Sequence, residues 1–175
     1  MHVVVWRLLP YRLSRFFHDL FCTYDRQDLL FVSGACLLIR RDIFEQIHGY
    51  DPEYFLTVED ACDLCIRAKE TGFRVVFLPD AEVLHLGGRS GVQAPYTVVW
   101  EGYRGSVYHF LKHKGAAQAV LVSVLLIIGS GVRSVIATIL GVAKRPYREV
   151  ARIYGRVFKS LLVRNPIFVK RKALW

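Results

Sequence analysis

Acidic side chains nearly vanish from the last part of this sequence. From Lys144 onward Glu149 is the single acid, against Lys144, Arg145, Arg148, Arg152, Arg156, Lys159, Arg164, Lys170, Arg171 and Lys172. That imbalance equals the whole formal net charge of +9 and excludes an evenly mixed surface there. Excess positive charge serves nucleic acid, an anionic membrane surface or a phosphorylated substrate. Charge of either sign is missing from Ala116 to Val132, and Arg133 is the single charge between that run and the basic tail. A basic segment that follows an apolar run favours a membrane surface. An aromatic-studded basic sheet is absent, so nucleic acid is not an expected partner.

Cysteine is also scarce: Cys22, Cys36, Cys62 and Cys65. Cys62 and Cys65 form one C-x-x-C, but no second pair accompanies it, which excludes a structural zinc site. On a helix the two thiols sit one turn apart, as small apolar fillers do. The set reads as reduced, which implies an intracellular protein. Neither an internal repeat nor a low-complexity stretch is present. Met1–Val5 is apolar but short, and Arg7, Arg12 and Arg15 follow at once, a pattern unlike a signal peptide.

What is present divides the chain into three parts: 1–115, 116–143 and 144–175. The first opens with a basic, aromatic segment carrying a short helix around Leu13–Phe21. Leu29–Ile39 is an apolar run broken by Ser33-Gly34, which predicts a buried strand. Asp42 and Glu45 have the spacing of a capping box at the head of a short helix, with Gly49 as its left-handed stop. A second helix is expected from about Asp60 to Thr71, with Ala61, Leu64, Cys65 and Ala68 on one face and Gly72 at its end. Phe73–Leu78 and Ala81–Leu86 read as strands, and Gly87–Gly91 as a loop. A helix carrying Trp100, Tyr103, Tyr108 and Phe110 runs to Gly115.

The uncharged run Ala116–Val132 reaches about 26 Å as a helix, short of a hydrocarbon core of about 30 Å. Extending it to Ala143 would bury Arg133 at about 2.5–3.5 kcal/mol on insertion scales. A membrane-associated helix or helical hairpin lying in the interface, with Arg133 reaching the headgroups, avoids that; a spanning helix and a buried soluble helix are the other readings.

The chemistry-bearing residues fall between Val32 and Ser90. Glu59-Asp60 follows an extended stretch and opens a helix, where the helix dipole keeps carboxylates ionised. An ionised carboxylate at a pocket edge can take the proton of an attacking hydroxyl, although acids at helix starts also serve simply as caps. His85 ends a strand just before a glycine-rich loop, where a metal ligand or a diphosphate contact is one reading and an ordinary surface histidine another. Arg89, in that loop, is placed to meet a phosphate or to remain solvated.

Four segments in order carry a resemblance: S-G-A-x-x-L-I-R-R from Ser33 to Arg41, G-Y-D-P-E-Y-F from Gly49 to Phe55, E-D-x-x-D-L-x-x-R from Glu59 to Arg67, and G-F-R-V-V-F-L-P-D-A-E-V-x-H from Gly72 to His85. The block resembles glycosyltransferase family 2, particularly its rhamnosyltransferase-like bacterial members. The resemblance implies an α/β fold: the C-terminal, acceptor-side half of a Rossmann-like GT-A domain, here followed by hydrophobic membrane-associated helices. It also implies sugar transfer with inversion from a nucleotide-sugar donor, usually with Mg2+ or Mn2+, to a lipid-linked or other glycan acceptor at the cytoplasmic face of the cell membrane. By the same resemblance Asp60 is the base, Glu59 shapes the acceptor site, and His85 is a metal ligand. Gly34, Ala35, Asp63, Arg67 and Arg89 are the acceptor-side or substrate-binding residues.

Two departures accompany it. The commoner family pattern is E-D-x-D-L, one residue shorter than Glu59–Leu64, which places Asp60 and Asp63 on one helical face. Nothing before Val32 resembles the family's nucleotide-binding half or its D-x-D, so the chain is expected to be a truncated piece or one part of a split enzyme whose donor-binding half lies elsewhere. The alternative is a non-catalytic, membrane-associated module that binds the acceptor. Strands lacking the rest of their sheet would leave an exposed edge and poor solubility.

Overall fold

The structure, a computed structural model, describes residues 29–55, 57, 59–78, 80–85 and 93–168. The helix expected near Leu13–Phe21, Cys22 and Arg89 lie outside them. Among the described residues five α-helices follow in order: α1 (Arg41–Gln46), α2 (Glu59–Glu70), α3 (Pro95–Lys114), α4 (Ala116–Ala143) and α5 (Pro146–Val163).

The short helix α1 does not use the expected capping box. Its N-cap is Arg40, with no side-chain cap. Asp42 instead accepts from Arg40 Nε and Nη2 at 3.1 and 2.6 Å, and Glu45 pairs with Arg41 at 2.8 Å. The arginines on either side of the helix start outbid the backbone for both carboxylates. The stop is as expected, since Gly49 adopts φ +64° after His48 at +59°.

α2 begins at Glu59, one residue before the expected start, and Gly72 at φ +91° follows its end. Ala61, Leu64, Cys65 and Ala68 are buried, as the spacing of small apolar residues requires. Leu64 and Ala68 join Ile43 and Ile47 of the α1 region in a small core, against which Leu37, Ile39 and Phe73 pack. A larger core holds Tyr103 and Val107 of α3, Val122 and Leu126 of α4, and Val157 and Leu161 of α5.

The three expected strands form no ladder among the described residues. The stretch 29–39 is broken by a turn at Gly34-Ala35 and meets 73–78 through the bond from Leu29 N–H to Val75 O at 2.8 Å. A strand needs a run of such bonds to a neighbour, and one does not make a ladder. Leu38 and Leu84 are 96% and 87% exposed, so these apolar stretches are not buried strands here. A cleft of about 740 Å³ opens between them and the Leu64–Ala68 face of α2, with His85 and Ala35 in its lining.

The last expected helix continues without a break from Ala116 to Ala143. Arg133 does not reach outward. Its Nη1 donates to Tyr103 Oη at 2.9 Å, and its guanidinium lies 5.4 Å over the Tyr154 ring. A cation on an apolar helix gains both a hydrogen bond and a ring face by turning into the bundle.

Candidate active site

Three carboxylates occupy the first turns of α2, and each has a different fate. Glu59 is buried, with 8% exposure. Its Oε1 accepts from Ser106 Oγ at 2.5 Å, its Oε2 accepts from Thr57 Oγ1, and its own N–H donates to Thr57 Oγ1 at 2.9 Å. The Thr57 side chain thus caps α2 while Ser106, in the middle of α3, fixes the same residue from the opposite side. Gly105 permits this approach, because a Cβ there would stand 2.8 Å from Thr57 Oγ1.

Asp63 is completely buried and fully engaged. Arg67 Nε donates to its Oδ2 at 2.8 Å, while Lys112 Nζ and His113 Nε2 lie 2.7 and 2.8 Å from its Oδ1. Burial pushes the carboxyl up, but the hydrogen bonds from Lys112, His113 and Arg67 outweigh it and hold Asp63 below the ordinary carboxylate range. With the carboxylate ionised, His113 Nε2 acts as the donor. Arg67 also donates to the Ile47 and Gly49 carbonyls, the second at 2.6 Å. Lys112 continues to Asp51 Oδ2 at 2.6 Å, which Tyr108 also reaches at 3.0 Å. Asp63 and Arg67 therefore brace α2 against α3 and the turn after α1.

Asp60 stands between these two. It is only partly buried, and no side chain among the described residues donates to it; Oδ1 takes the Ala61 N–H at 2.5 Å. Burial is the largest influence on its carboxyl and, with the nearby Glu59 charge, raises it above the ordinary range against the helix N–H bonds. Gly34 backs it: a Cβ at residue 34 would meet Ala61 Cβ at 3.3 Å and Asp60 Oδ1 at 4.0 Å. Ala35 follows in the same turn, its N–H donating to Ser33 Oγ at 3.3 Å. A proton acceptor held at a helix start, backed by glycine and left without a side-chain donor, is equipped to take a proton from a hydroxyl.

The structure thus brings Glu59, Asp60 and Gly34 together and sets Asp63 and Arg67 behind them. His85 is apart, exposed on the cleft lining, where neither Glu59 nor Asp60 reaches. Among the described residues no three His, Cys, Asp or Glu side chains gather about one point. Cys62 and Cys65 are buried free thiols, and burial, then the Glu59 charge, pushes Cys62 up to about 12, in keeping with packing rather than chemistry. Thr57, Ser106, Lys112 and His113 were not evident from the sequence. They lie 50 or so residues from their partners or, for Thr57, in an unremarkable turn, and no local spacing marks them.

A Glu-Asp pair thus opens α2, with the turn at Gly34 beside Asp60. The family model described as "Glycosyltransferase like family 2" matches residues 6–101, more than half of the chain, and the chain belongs to that family. It is 39% identical over 92 residues to N-acetylglucosaminyl-diphospho-decaprenol L-rhamnosyltransferase from two strains of Mycobacterium tuberculosis. That match covers 51% of this chain and 29% of the relative, so the chain spans under a third of the length of these curated relatives. A stretch of 60 residues is 33% identical to an uncharacterized protein of Sinorhizobium fredii, covering 34% of this chain and 7% of that protein. No solved structure matches the chain.

Proposed function

We propose that this chain carries the acceptor-side machinery of an inverting glycosyltransferase, with Asp60 as the general base. The observation that carries the reading is the contrast within one helix turn: Glu59 is locked by Thr57 and Ser106, while no side chain among the described residues donates to Asp60. In the reaction the acceptor hydroxyl gives its proton to the Asp60 carboxylate as its oxygen attacks the anomeric carbon. The bond from that carbon to the nucleoside diphosphate breaks on the opposite face, so the configuration inverts. Glu59 supplies a fixed wall and a negative neighbour that keeps Asp60 basic. Gly34 and Ala35 form the floor of the acceptor site, while Asp63 and Arg67 hold the helix that presents it.

The donor is a nucleotide sugar and the acceptor a lipid-linked glycan at the cytoplasmic face of the cell membrane. The name of the mycobacterial relatives supports a polyprenyl-diphosphate acceptor and a rhamnosyl donor for them; for this chain the same acceptor class is our reading. Arg89 would approach a phosphate of donor or acceptor, and the remainder of the donor site lies outside these residues. Mg2+ or Mn2+ belongs to this reading only as a companion of the donor diphosphate, for which the chain offers His85.

The product's anomeric configuration is the test. Nuclear magnetic resonance of the sugar transferred by the assembled enzyme should show inversion relative to the donor. Retention would contradict a base-catalysed single displacement, and acceptor binding with no transfer would favour a non-catalytic acceptor-binding module.

A further inference from the structure

The outer face of α4 is a continuous apolar stripe. Leu121, Leu125, Ile128, Val132, Val135 and Ile139 recur at alternating steps of four and three residues, and each is more than half exposed. The opposite face carries Val122 and Leu126 into the core and Arg133 onto Tyr103. The one charge of α4 is therefore turned away, and the stripe is uncharged from end to end.

By length and composition α4 could cross a bilayer. Its neighbour decides against that. α5 runs antiparallel along it: Arg148 Nε donates to Gly141 O at 2.8 Å, and Ser134 Oγ to Ala151 O at 3.2 Å. Further along, a Cβ at Gly131 would meet Phe158 at 3.2 Å, and Asn165 Nδ2 donates to Ser123 Oγ at 2.7 Å. Over this shared length α5 exposes Arg148, Arg152, Arg156 and Lys159. A spanning α4 would carry these cations through the hydrocarbon, where charged side chains are costly and rare.

We infer that α4 lies in the plane of an anionic bilayer, its Leu121–Ile139 stripe among the acyl chains and the arginines of α5 at the headgroups. A helix about 42 Å long with one apolar side and a cationic companion has the form of an interfacial element. Lipid fits the face better than a second copy does. Pairing two α4 stripes about a twofold axis would bring two cationic α5 helices toward each other, whereas anionic headgroups neutralise them. The inference shares with the proposed function only the expectation of a membrane, and the two fail separately, since neither α4 nor α5 contributes to the Asp60 site.

The full chain is tested on vesicles of phosphatidylcholine alone and with about 30% phosphatidylglycerol, where anionic headgroups attract a basic surface segment. Binding should be at least tenfold tighter, on the order of one decade, to the anionic vesicles and weaken with salt. The double variant Ile128→Glu and Ile139→Glu alters exposed positions only and should keep the wild-type circular dichroism while losing binding. Nitroxide labels at residues 121, 128, 135 and 139, with Cys22 and Cys36 replaced by serine, should report one shallow depth at all four positions. A depth that peaks at 128 and falls toward 121 and 139 would overturn the inference in favour of a spanning helix. A dimer in solution that protects the stripe and ignores vesicles would overturn it in favour of a second copy.

Discussion

Ser106 Oγ lies 2.5 Å from Glu59 Oε1, joining the middle of α3 to the first residue of α2. Both groups are buried, and the bond crosses 47 residues of sequence. It fixes the helix start on which Asp60 is presented. Ser106→Ala removes a hydrogen bond to a buried carboxylate, which is worth about 1.5–3 kcal/mol. Thermal unfolding should fall accordingly, and kcat should drop more than KM rises, because Asp60 loses its orientation rather than the acceptor its contacts. Gly105→Ala brings a Cβ against Thr57 and should destabilise by about 1–3 kcal/mol. Wild-type melting in both variants would mean that α3 does not hold the site.

Asp63 should be the most costly of the three carboxylates to neutralise. Asp63→Asn leaves Arg67, Lys112 and His113 facing an uncharged amide in a buried position, a loss of about 3–5 kcal/mol by analogy with broken buried pairs. Its folded value lies below its unfolded value of about 3.9, so the stability it contributes is fully present above that pH. That stability is lost as pH falls through the lower folded value. Urea titrations between about pH 2 and 7 should show the wild type losing stability on the acid side and Asp63→Asn changing less over the same window. Parallel curves would show that the carboxylate is not engaged.

Asp60 has the opposite sign. Burial first, and then Glu59, raise its folded value, so its ionisation opposes folding, and stability falls as pH rises from the unfolded value through the folded one. Asp60→Asn should therefore melt no lower than wild type at neutral pH. The acid limb of the wild-type kcat/KM profile should lie above the ordinary carboxylate value of about 3.9. A limb at or below that value would place the titrating base elsewhere.

Helix-forming periodicity was legible wherever it served packing. The Ala61, Leu64, Cys65, Ala68 face of α2 and the aromatic α3 were readable because small and apolar residues recur at the helical period. The place of the Glu-Asp pair at the start of α2 was readable, while its role as a site rested on the family resemblance, since acids at a helix start also serve as caps. Strand character was not realised as ladders, since periodicity says that a stretch prefers extension but not which neighbour bonds to it. The contacts of Asp63 and Arg67 were also hidden: both sit in the family motif, yet Asp63 meets Lys112 and His113 of α3, fifty residues away, and Arg67 reaches the Ile47 and Gly49 carbonyls about twenty residues before it. Arg133 seemed bound for headgroups because Tyr103 and Tyr154, which receive it, are distant in sequence.

The most direct measurement compares sugar transfer by the assembled enzyme carrying either Asp60 or Asp60→Asn, using a nucleotide-sugar donor and a polyprenyl-diphosphate-linked acceptor in native membranes. Loss of general base catalysis should lower kcat by about 10²–10⁴-fold while the melting temperature holds or rises. Turnover within twofold of wild type in a folded Asp60→Asn enzyme would contradict the assignment of Asp60 as the base.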